Sequence, residues 1–136
     1  MSIQGHCNCG SVRVTLPDQP ASSLICFCLN FRRAGGVLAS LNYTLAKSTA
    51  IVSDSKSVLK RYHDSNTDSG NTIIRNFCGN CGSSVMTEVP LHPEALIVKA
   101  SLFDHIAPPN QEAFAEKKMD WAKGIAIEKP SEQAFE

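Results

Sequence analysis

The sequence has no excess of charge of either sign and no long hydrophobic run. Thirteen basic residues balance thirteen acidic ones, so the formal net charge at pH 7 is zero. Nucleic-acid binding draws on a basic excess that neutralises phosphates, and this balance argues against such a partner. No run of about eighteen apolar residues is present, which argues against a transmembrane helix. The first residues lack the basic and apolar regions of a secretory signal, so we expect a cytoplasmic protein.

Several common catalytic patterns are also missing. The sequence contains no Gly-rich phosphate loop and no ordered set of serine, histidine and aspartate that would support a serine hydrolase. No internal repeat or low-complexity segment divides the chain. With 136 residues, of which 43% are hydrophobic, the sequence predicts a single domain over residues 1–136. The acidic segment 128–136 is expected to be a loosely packed tail.

Short strand-like runs dominate the chain. Residues 11–16 alternate between apolar and polar, and residues 95–101 form a continuous apolar run of the kind that is buried on both faces of a sheet. A short helical turn is predicted at 30–34, and residues 111–118 form either a helix or a partly ordered loop. Together these runs predict an all-β fold with short helical turns. The remaining predicted strands cover 37–41, 50–53, 58–63, 72–77 and 84–89.

Six cysteines are the most informative residues, and they fall into three close pairs. In a reducing cytoplasm such pairs are more typical of metal ligands or catalytic groups than of disulfides. Cys78 and Cys81 form a C-x-x-C turn between two predicted strands, which is typical of half of a four-cysteine zinc site. The sequence offers two candidates for the other half. They are the pair Cys7 and Cys9 and the pair Cys26 and Cys28.

Three motifs along the chain carry a family resemblance. They are Gly5-x-Cys7-x-Cys9-Gly10, Cys26-x-Cys28-x-x-Phe31-Arg32-Arg33 and Phe77-Cys78-x-x-Cys81-Gly82-Ser83, followed by the weaker Lys118-x-x-Trp121. In this order they resemble the glutathione-dependent formaldehyde-activating enzyme family, which includes the centromere protein V group. The resemblance implies a β-tent fold of antiparallel sheets. It also implies a structural zinc, whose ligands would be Cys7, Cys9, Cys78 and Cys81.

The middle motif of that family implies a second, catalytic zinc. Three cysteines, usually with a histidine between the first two, hold this zinc and leave one position open for chemistry. The resemblance implies that glutathione adds there to an aldehyde and gives a hydroxymethyl thioether, a reaction classed with carbon–sulfur lyases. In this sequence Cys26 and Cys28 remain as candidate catalytic residues. Phe31 stands at the third-cysteine position and Phe27 at the histidine position, so a second zinc needs another ligand.

Four histidines are candidates for that missing ligand, and a carboxylate is another. His6 and His105 are preferred as candidate ligands over His63 and His92. For each of the four, the alternative is an ordinary surface histidine with no metal. The expected partner is a small-molecule thiol or an aldehyde adduct, with no nucleic acid and no membrane. A homodimer is also considered, because symmetric dimers are common.

Two functions compete for the middle motif. In the first, the protein is an enzyme of the carbon–sulfur lyase type, and Phe27 and Phe31 line an apolar pocket. In the second, the phenylalanines extend the core, and the protein is a non-catalytic zinc-stapled module that binds a small molecule or a protein. Arg32 and Arg33 are either an anion clamp or a solvated pair on a helical turn. Trp121 either walls the pocket or packs at the edge of the core.

Overall fold

The computed structural model describes residues 1–122, which contain ten β-strands and one α-helix. This confirms the predicted all-β class with short helical turns. None of the helices in these residues is both long enough and apolar enough to span a bilayer. The helix α1 covers Leu29–Gly35, and short 3₁₀ helices cover Lys47–Thr49, Ala100–Leu102 and Ala115–Lys117. The strands are β1 (Ile3–His6), β2 (Arg13–Leu16), β3 (Ser23–Cys26), β4 (Ser40–Ala46), β5 (Ile51–Ser53), β6 (Leu59–Asp64), β7 (Ile73–Cys78), β8 (Ser84–Glu88), β9 (Ala95–Lys99) and β10 (Pro109–Ala113).

The strands form two sheets with the main core between them. One sheet has the order β1-β2-β5, and the other has the order β10-β3-β4-β9-β8-β7-β6. Neighbouring strands are antiparallel except β10 and β3, which are parallel. Val14 and Leu16 of β2 meet Tyr43 of β4 and Val98 of β9 in one buried cluster. The alternation predicted for β2 therefore faces the core, as a half-buried strand requires.

Part of the second face of the seven-stranded sheet carries buried polar side chains, and α1 packs against that part. Val98 belongs to the core, so its neighbour Lys99 points to the opposite face. The register pairs Asn42 of β4 with Lys99 of β9. Arg75 of β7 pairs with a residue of β8 that in turn pairs with β9 two residues before Lys99, so Arg75 lies on the same face as Lys99. Phe31 of α1 packs onto this face against both cations.

Gly5 allows β1 to approach the rest of the molecule closely. It is buried, and a Cβ there would lie 2.9 Å from the carbonyl oxygen of Leu102. A larger residue would push β1 away, because such a distance is well inside van der Waals contact. This approach fixes the position of Cys7, which directly follows β1.

The helix considered for residues 111–118 is wrong. Residues Pro109–Ala113 form the edge strand β10, and a 3₁₀ turn at Ala115–Lys117 follows it. Two backbone hydrogen bonds tie this segment to β3, from the Ser23 N–H to the Pro108 carbonyl (3.1 Å) and from the Phe27 N–H to the Ala113 carbonyl (3.0 Å). Sheet pairing thus overrides a weak helical preference. Proline is tolerated because β10 is at the edge of the sheet.

Other local predictions differ from the structure at their boundaries. The helical turn at 30–34 is confirmed as α1, and the strands predicted at 72–77, 84–89 and 95–101 correspond to β7, β8 and β9. The strand predicted at 37–41 instead begins at Ser40 and runs to Ala46. The strands β1 and β3 were not predicted, since neither alternates between apolar and polar residues: β1 has a single large apolar residue, Ile3, and β3 is buried throughout. The predicted tail at 128–136 lies outside the described residues.

Candidate metal centre and adjoining cavities

Two turns of similar geometry carry four of the six cysteines. In the turn after β1, the Gly10 N–H donates to the Cys7 carbonyl at 2.9 Å. In the turn after β7, the Gly82 N–H donates to the Cys78 carbonyl at 2.8 Å. Both glycines adopt φ 79°, a left-handed conformation that glycine reaches without steric cost. The Cys-Gly sequence that ends each motif therefore explains the local fold.

The four sulfurs converge closely enough to share one metal ion. Their Sγ atoms all lie within 4.8 Å of one another. Cys9 Sγ is 3.6 Å from that of Cys7 and 3.7 Å from that of Cys78. Four thiolates at about 2.3 Å from a central zinc lie about 3.8 Å apart, so the set fits this ion. The structure thus brings together Cys7, Cys9, Cys78 and Cys81, which could hold a metal ion.

Backbone and hydroxyl groups surround the sulfurs and join the two turns. The Val12 N–H donates to Cys7 Sγ at 3.3 Å, and the Cys81 N–H donates to Cys78 Sγ at 3.4 Å. The Asn8 N–H donates to the Ser83 hydroxyl oxygen at 3.0 Å and links one turn to the other. Such donors orient and stabilise thiolate ligands around a metal ion.

The thiol pKa values divide the cysteines into two groups. The Ser11 hydroxyl beside Cys9 lowers the pKa of that thiol to about 5, and the Ser83 hydroxyl lowers the pKa of Cys81 to about 7. Burial raises the pKa of Cys78 to about 11. The hydroxyl neighbours therefore favour the thiolate forms of Cys9 and Cys81, whereas burial favours the protonated form of Cys78 unless a positive charge is nearby.

The middle cysteines are buried apart from this centre. Cys26 ends β3, and Cys28 is the N-cap of α1, where its Sγ accepts the Phe31 N–H at 3.3 Å. Both pack in one cluster with Phe31, Leu24 and Ala113. In residues 1–122 they belong to no group of three or more His, Cys, Asp or Glu side chains whose ligand atoms converge.

The aromatic ring of Phe31 contacts two basic side chains. Lys99 Nζ lies 3.4 Å from the ring centroid, and Arg75 Cζ lies 4.9 Å from it. These distances are typical of cation–π contacts. Where the family resemblance implies a third thiolate, this chain has an aromatic ring that contacts two positive charges.

Two adjoining cavities lie next to these residues. The Phe31 cavity, of about 540 Å³, is lined by Phe31 and also by Asn8 and Ser83 from the turns of the metal centre. The Arg75 cavity, of about 670 Å³, is lined by residues of α1 and of β6, β7 and β8. Both volumes are in the range of small-molecule sites. The two cavities share the lining residues Ala34, Gly82, Ser84 and Lys99.

The structure places the other predicted binding residues in different surroundings. Arg33 is exposed and lines the Arg75 cavity, whereas Arg32 is partly buried and lines neither cavity. Phe27 is buried and lines neither cavity, with Lys118 Nζ 4.8 Å from its ring centroid. Trp121 is 72% exposed and also lines neither cavity.

None of the four histidines converges with Cys26 and Cys28 as a metal ligand. His6 is exposed and lines the Phe31 cavity, with its Nδ1 at 2.8 Å from the Cys7 carbonyl oxygen. The remaining histidines, His63, His92 and His105, line neither of the two cavities.

Lys99 and Arg75 are the site residues that sequence reasoning missed. Each is less than one-tenth exposed, and both line the Arg75 cavity. The sequence does contain a signal for both residues. Lys99 is the one charged residue in the apolar run 95–101, and Arg75 lies within the predicted strand that leads to Cys78. A charge inside a buried strand is unusual unless it is paired or functional.

The fold and the four-cysteine centre define a mainly antiparallel β-sheet protein with a site that could hold a metal ion. Residues 2–123 match the family described as glutathione-dependent formaldehyde-activating enzyme. The chain therefore belongs to this family. The resemblance drawn from the cysteine motifs is confirmed.

Individual relatives agree with this assignment. A protein of Halomonas elongata, provisionally named a glutathione-dependent formaldehyde-activating enzyme, is 29% identical over 130 residues, which are 90% of this chain and 81% of that protein. A crystal structure of a Rhodobacter sphaeroides protein matches with a TM-score of 0.58 and 23% identity, covering 76% of this chain and 90% of that one. At this identity the structural match shows the fold alone.

Proposed function

We propose that Cys7, Cys9, Cys78 and Cys81 bind one structural zinc ion. The proposal is supported by four thiols whose sulfurs all lie within 4.8 Å of one another. A set of four thiolates is typical of zinc or of iron–sulfur clusters, and ligands from two short turns favour a single ion. A site closed by four protein ligands has no open position for a substrate. The zinc would therefore stabilise the contact between the two turns and take no part in chemistry.

We further propose that the protein is a carbon–sulfur lyase-type enzyme that acts on the adduct of a thiol and a small aldehyde, with glutathione as the family's thiol. In such an adduct the bond between carbon and sulfur breaks, the hydroxyl loses its proton to form the carbonyl, and the sulfur gains a proton. The reverse reaction forms the adduct. The observation that carries this proposal is the Phe31 cavity, which adjoins the middle motif and has room for a small ligand. A reducing cytoplasmic location completes the proposal.

A second zinc does not fit the middle motif. Phe31 cannot ligate a metal, and its ring is buried where the resemblance implies a thiolate. Cys26 and Cys28 have no third converging ligand in residues 1–122. The proposed reaction therefore contains no step at a second metal ion.

Cys26 and Cys28 are the candidate catalytic thiols of this proposal. Both are less than 2% exposed and line neither cavity, so a ligand in the Phe31 cavity reaches them only when the Phe31 ring moves. Phe31→Ala in zinc-loaded protein should therefore speed alkylation of these two cysteines by iodoacetamide, measured by peptide mass spectrometry. Equal protection in the variant and the wild type would contradict this route.

The activity is tested with formaldehyde and glutathione. We expect the protein to accelerate exchange between free formaldehyde and its glutathione adduct, followed by carbon-13 exchange NMR. Cys28→Ala should reduce the acceleration by about 100-fold, which is the low end for loss of a proton-transfer group. Arg61→Gln is the matched control, because Arg61 is exposed and lines neither cavity. No acceleration by the wild type would contradict the proposed activity.

A non-catalytic zinc-stapled binding module is the second candidate function. The observation that favours it is the burial of Cys26 and Cys28 in an apolar cluster with Phe31. This function predicts that a small molecule binds in one of the cavities while the exchange rate stays at its uncatalysed value. The same exchange assay therefore separates the two functions.

A further inference from the structure

The Arg75 cavity differs from the Phe31 cavity in its charge. Three basic side chains, Arg33, Arg75 and Lys99, and one acidic side chain, Asp64, line the Arg75 cavity. In the Phe31 cavity Lys99 is balanced by Asp104. We propose that the Arg75 cavity binds the carboxylate of a small organic acid. This site does not depend on the proposed activity, because a binding module could use it as well.

Arg75 has a buried donor that is left without an acceptor. Its Nε donates to Asp64 Oδ2 at 2.8 Å, and both side chains are only 10% exposed. Its Nη2 is buried and has no hydrogen-bond partner among the residues that the structure describes. Leaving such a charged donor without a hydrogen bond is costly, and the Phe31 ring beside the guanidinium compensates for only part of that cost. A carboxylate supplies an acceptor, and hydrogen bonds between guanidinium and carboxylate are strong and directional.

Lys99 supplies a second positive charge to the cavity. Its Nζ donates to Ser40 Oγ at 2.8 Å and to Asn42 Oδ1 at 3.1 Å. These oxygen acceptors, together with the face of the Phe31 ring, suit a charged ammonium group. Because Nη2 itself is covered, a carboxylate in the cavity would reach it only after a small turn of the guanidinium, and it would lie in the field of Lys99. In this partly buried setting the attraction is screened less than at the surface.

The rim of the cavity is held in place by hydrogen bonds between α1 and the loop after β6. The Asn30 side chain donates to the Asn66 carbonyl at 2.7 Å and accepts the Asp68 N–H at 2.9 Å. The Leu29 N–H donates to Asp68 Oδ2 at 2.8 Å. A rim ordered before binding reduces the entropic cost of binding. The cavity also offers apolar lining for the body of an organic acid, from Tyr62, Phe77 and Met86.

Benzoate is a suitable probe, with benzamide as its neutral counterpart and inorganic phosphate as the competing anion. Binding is followed by proton–nitrogen correlation NMR of the full chain, with the Arg75 Nε–H as reporter in the wild type and the backbone amides of the cavity residues as reporters in every variant. We expect saturable shifts of these signals with benzoate and none with benzamide. Equal shifts with benzamide, no saturable shift with benzoate, or tighter binding of phosphate through Arg75 would each overturn the carboxylate assignment.

Three substitutions test the residues involved. Arg75→Lys keeps the charge beside Asp64 but removes the guanidinium fork, and it should weaken benzoate binding at least about tenfold. Arg33→Gln changes an exposed side chain at the rim, so it should fold normally and weaken binding a few-fold. Arg61→Gln, an exposed arginine outside the cavity, should leave the affinity unchanged. Wild-type affinity in both Arg75→Lys and Arg33→Gln would overturn the proposal, and the same spectra report whether each variant is folded.

Discussion

Replacing Cys78 by serine tests the metal centre most directly. Cys9 and Cys78 are 69 residues apart in the chain, and their sulfurs are 3.7 Å apart. A cross-link that closes a loop of this length restricts the unfolded chain by about 4 kcal/mol. Since total stabilities are about 5–15 kcal/mol, the loss should be a large share of the whole. We expect Cys78→Ser to lower the free energy of unfolding by about 4 kcal/mol and to carry far less zinc than the wild type.

Urea unfolding and elemental mass spectrometry measure these two quantities. A chelator should destabilise the wild type and have little effect on Cys78→Ser, because metal binding and folding are coupled. Cys28→Ser is the matched control. Cys28 is equally buried but caps α1, and serine is a favourable N-cap, so this variant should keep its zinc. A Cys78→Ser protein with full zinc and an unchanged unfolding midpoint would refute the four-cysteine centre.

Three further predictions concern the metal count, a close contact and an acidic group. Protein purified without chelator should contain about one zinc per chain, and a value near two would mean that the middle motif binds metal after all. Gly79→Ala places a Cβ 2.6 Å from the Val58 carbonyl oxygen, so it should cost about 1–3 kcal/mol in urea unfolding, and an unchanged midpoint would contradict the contact. Burial opposes ionisation of Glu88, but hydrogen bonds from Asn76 and Arg61 outweigh it and lower its pKa. Ionised Glu88 therefore stabilises the folded protein above the unfolded-state pKa of this group, and the stabilisation is lost as the pH falls through the folded-state pKa. The free energy of unfolding should exceed that of Glu88→Gln by under about 1 kcal/mol at neutral pH, and the difference should disappear on acidification.

The four-cysteine cluster was predictable because its signal is local. Each half of the site is a short turn with its own spacing and its own glycine, as in Cys78 to Gly82. From the residues alone, however, Cys7 and Cys26 were equal candidates for the second half, and the family motif decided between them. The alternation of β2 and the apolar run of β9 were equally local, so both strands were predicted.

The polar face over which α1 packs was not predictable in the same way. Lys99 and Arg75 come from β9 and β7, and only the register of the sheet brings them to one ring. The strand β10 was missed for a related reason. Its polar sequence has no strand period, and its parallel pairing with β3 joins segments that are far apart in the chain. Non-local pairing leaves little trace in a short window of sequence.

The position of the two cysteine turns has a consequence for how the protein matures. Neither turn alone offers more than two thiolates, and a two-ligand half-site holds zinc far less firmly than a complete tetrahedral one. In the proposed site, the ligand set that includes Cys9 is therefore complete only after Cys78 and Cys81 have been synthesised. An ion that needs ligands from both turns, as proposed above, would therefore bind late and stabilise an arrangement that long-range strand pairing produces.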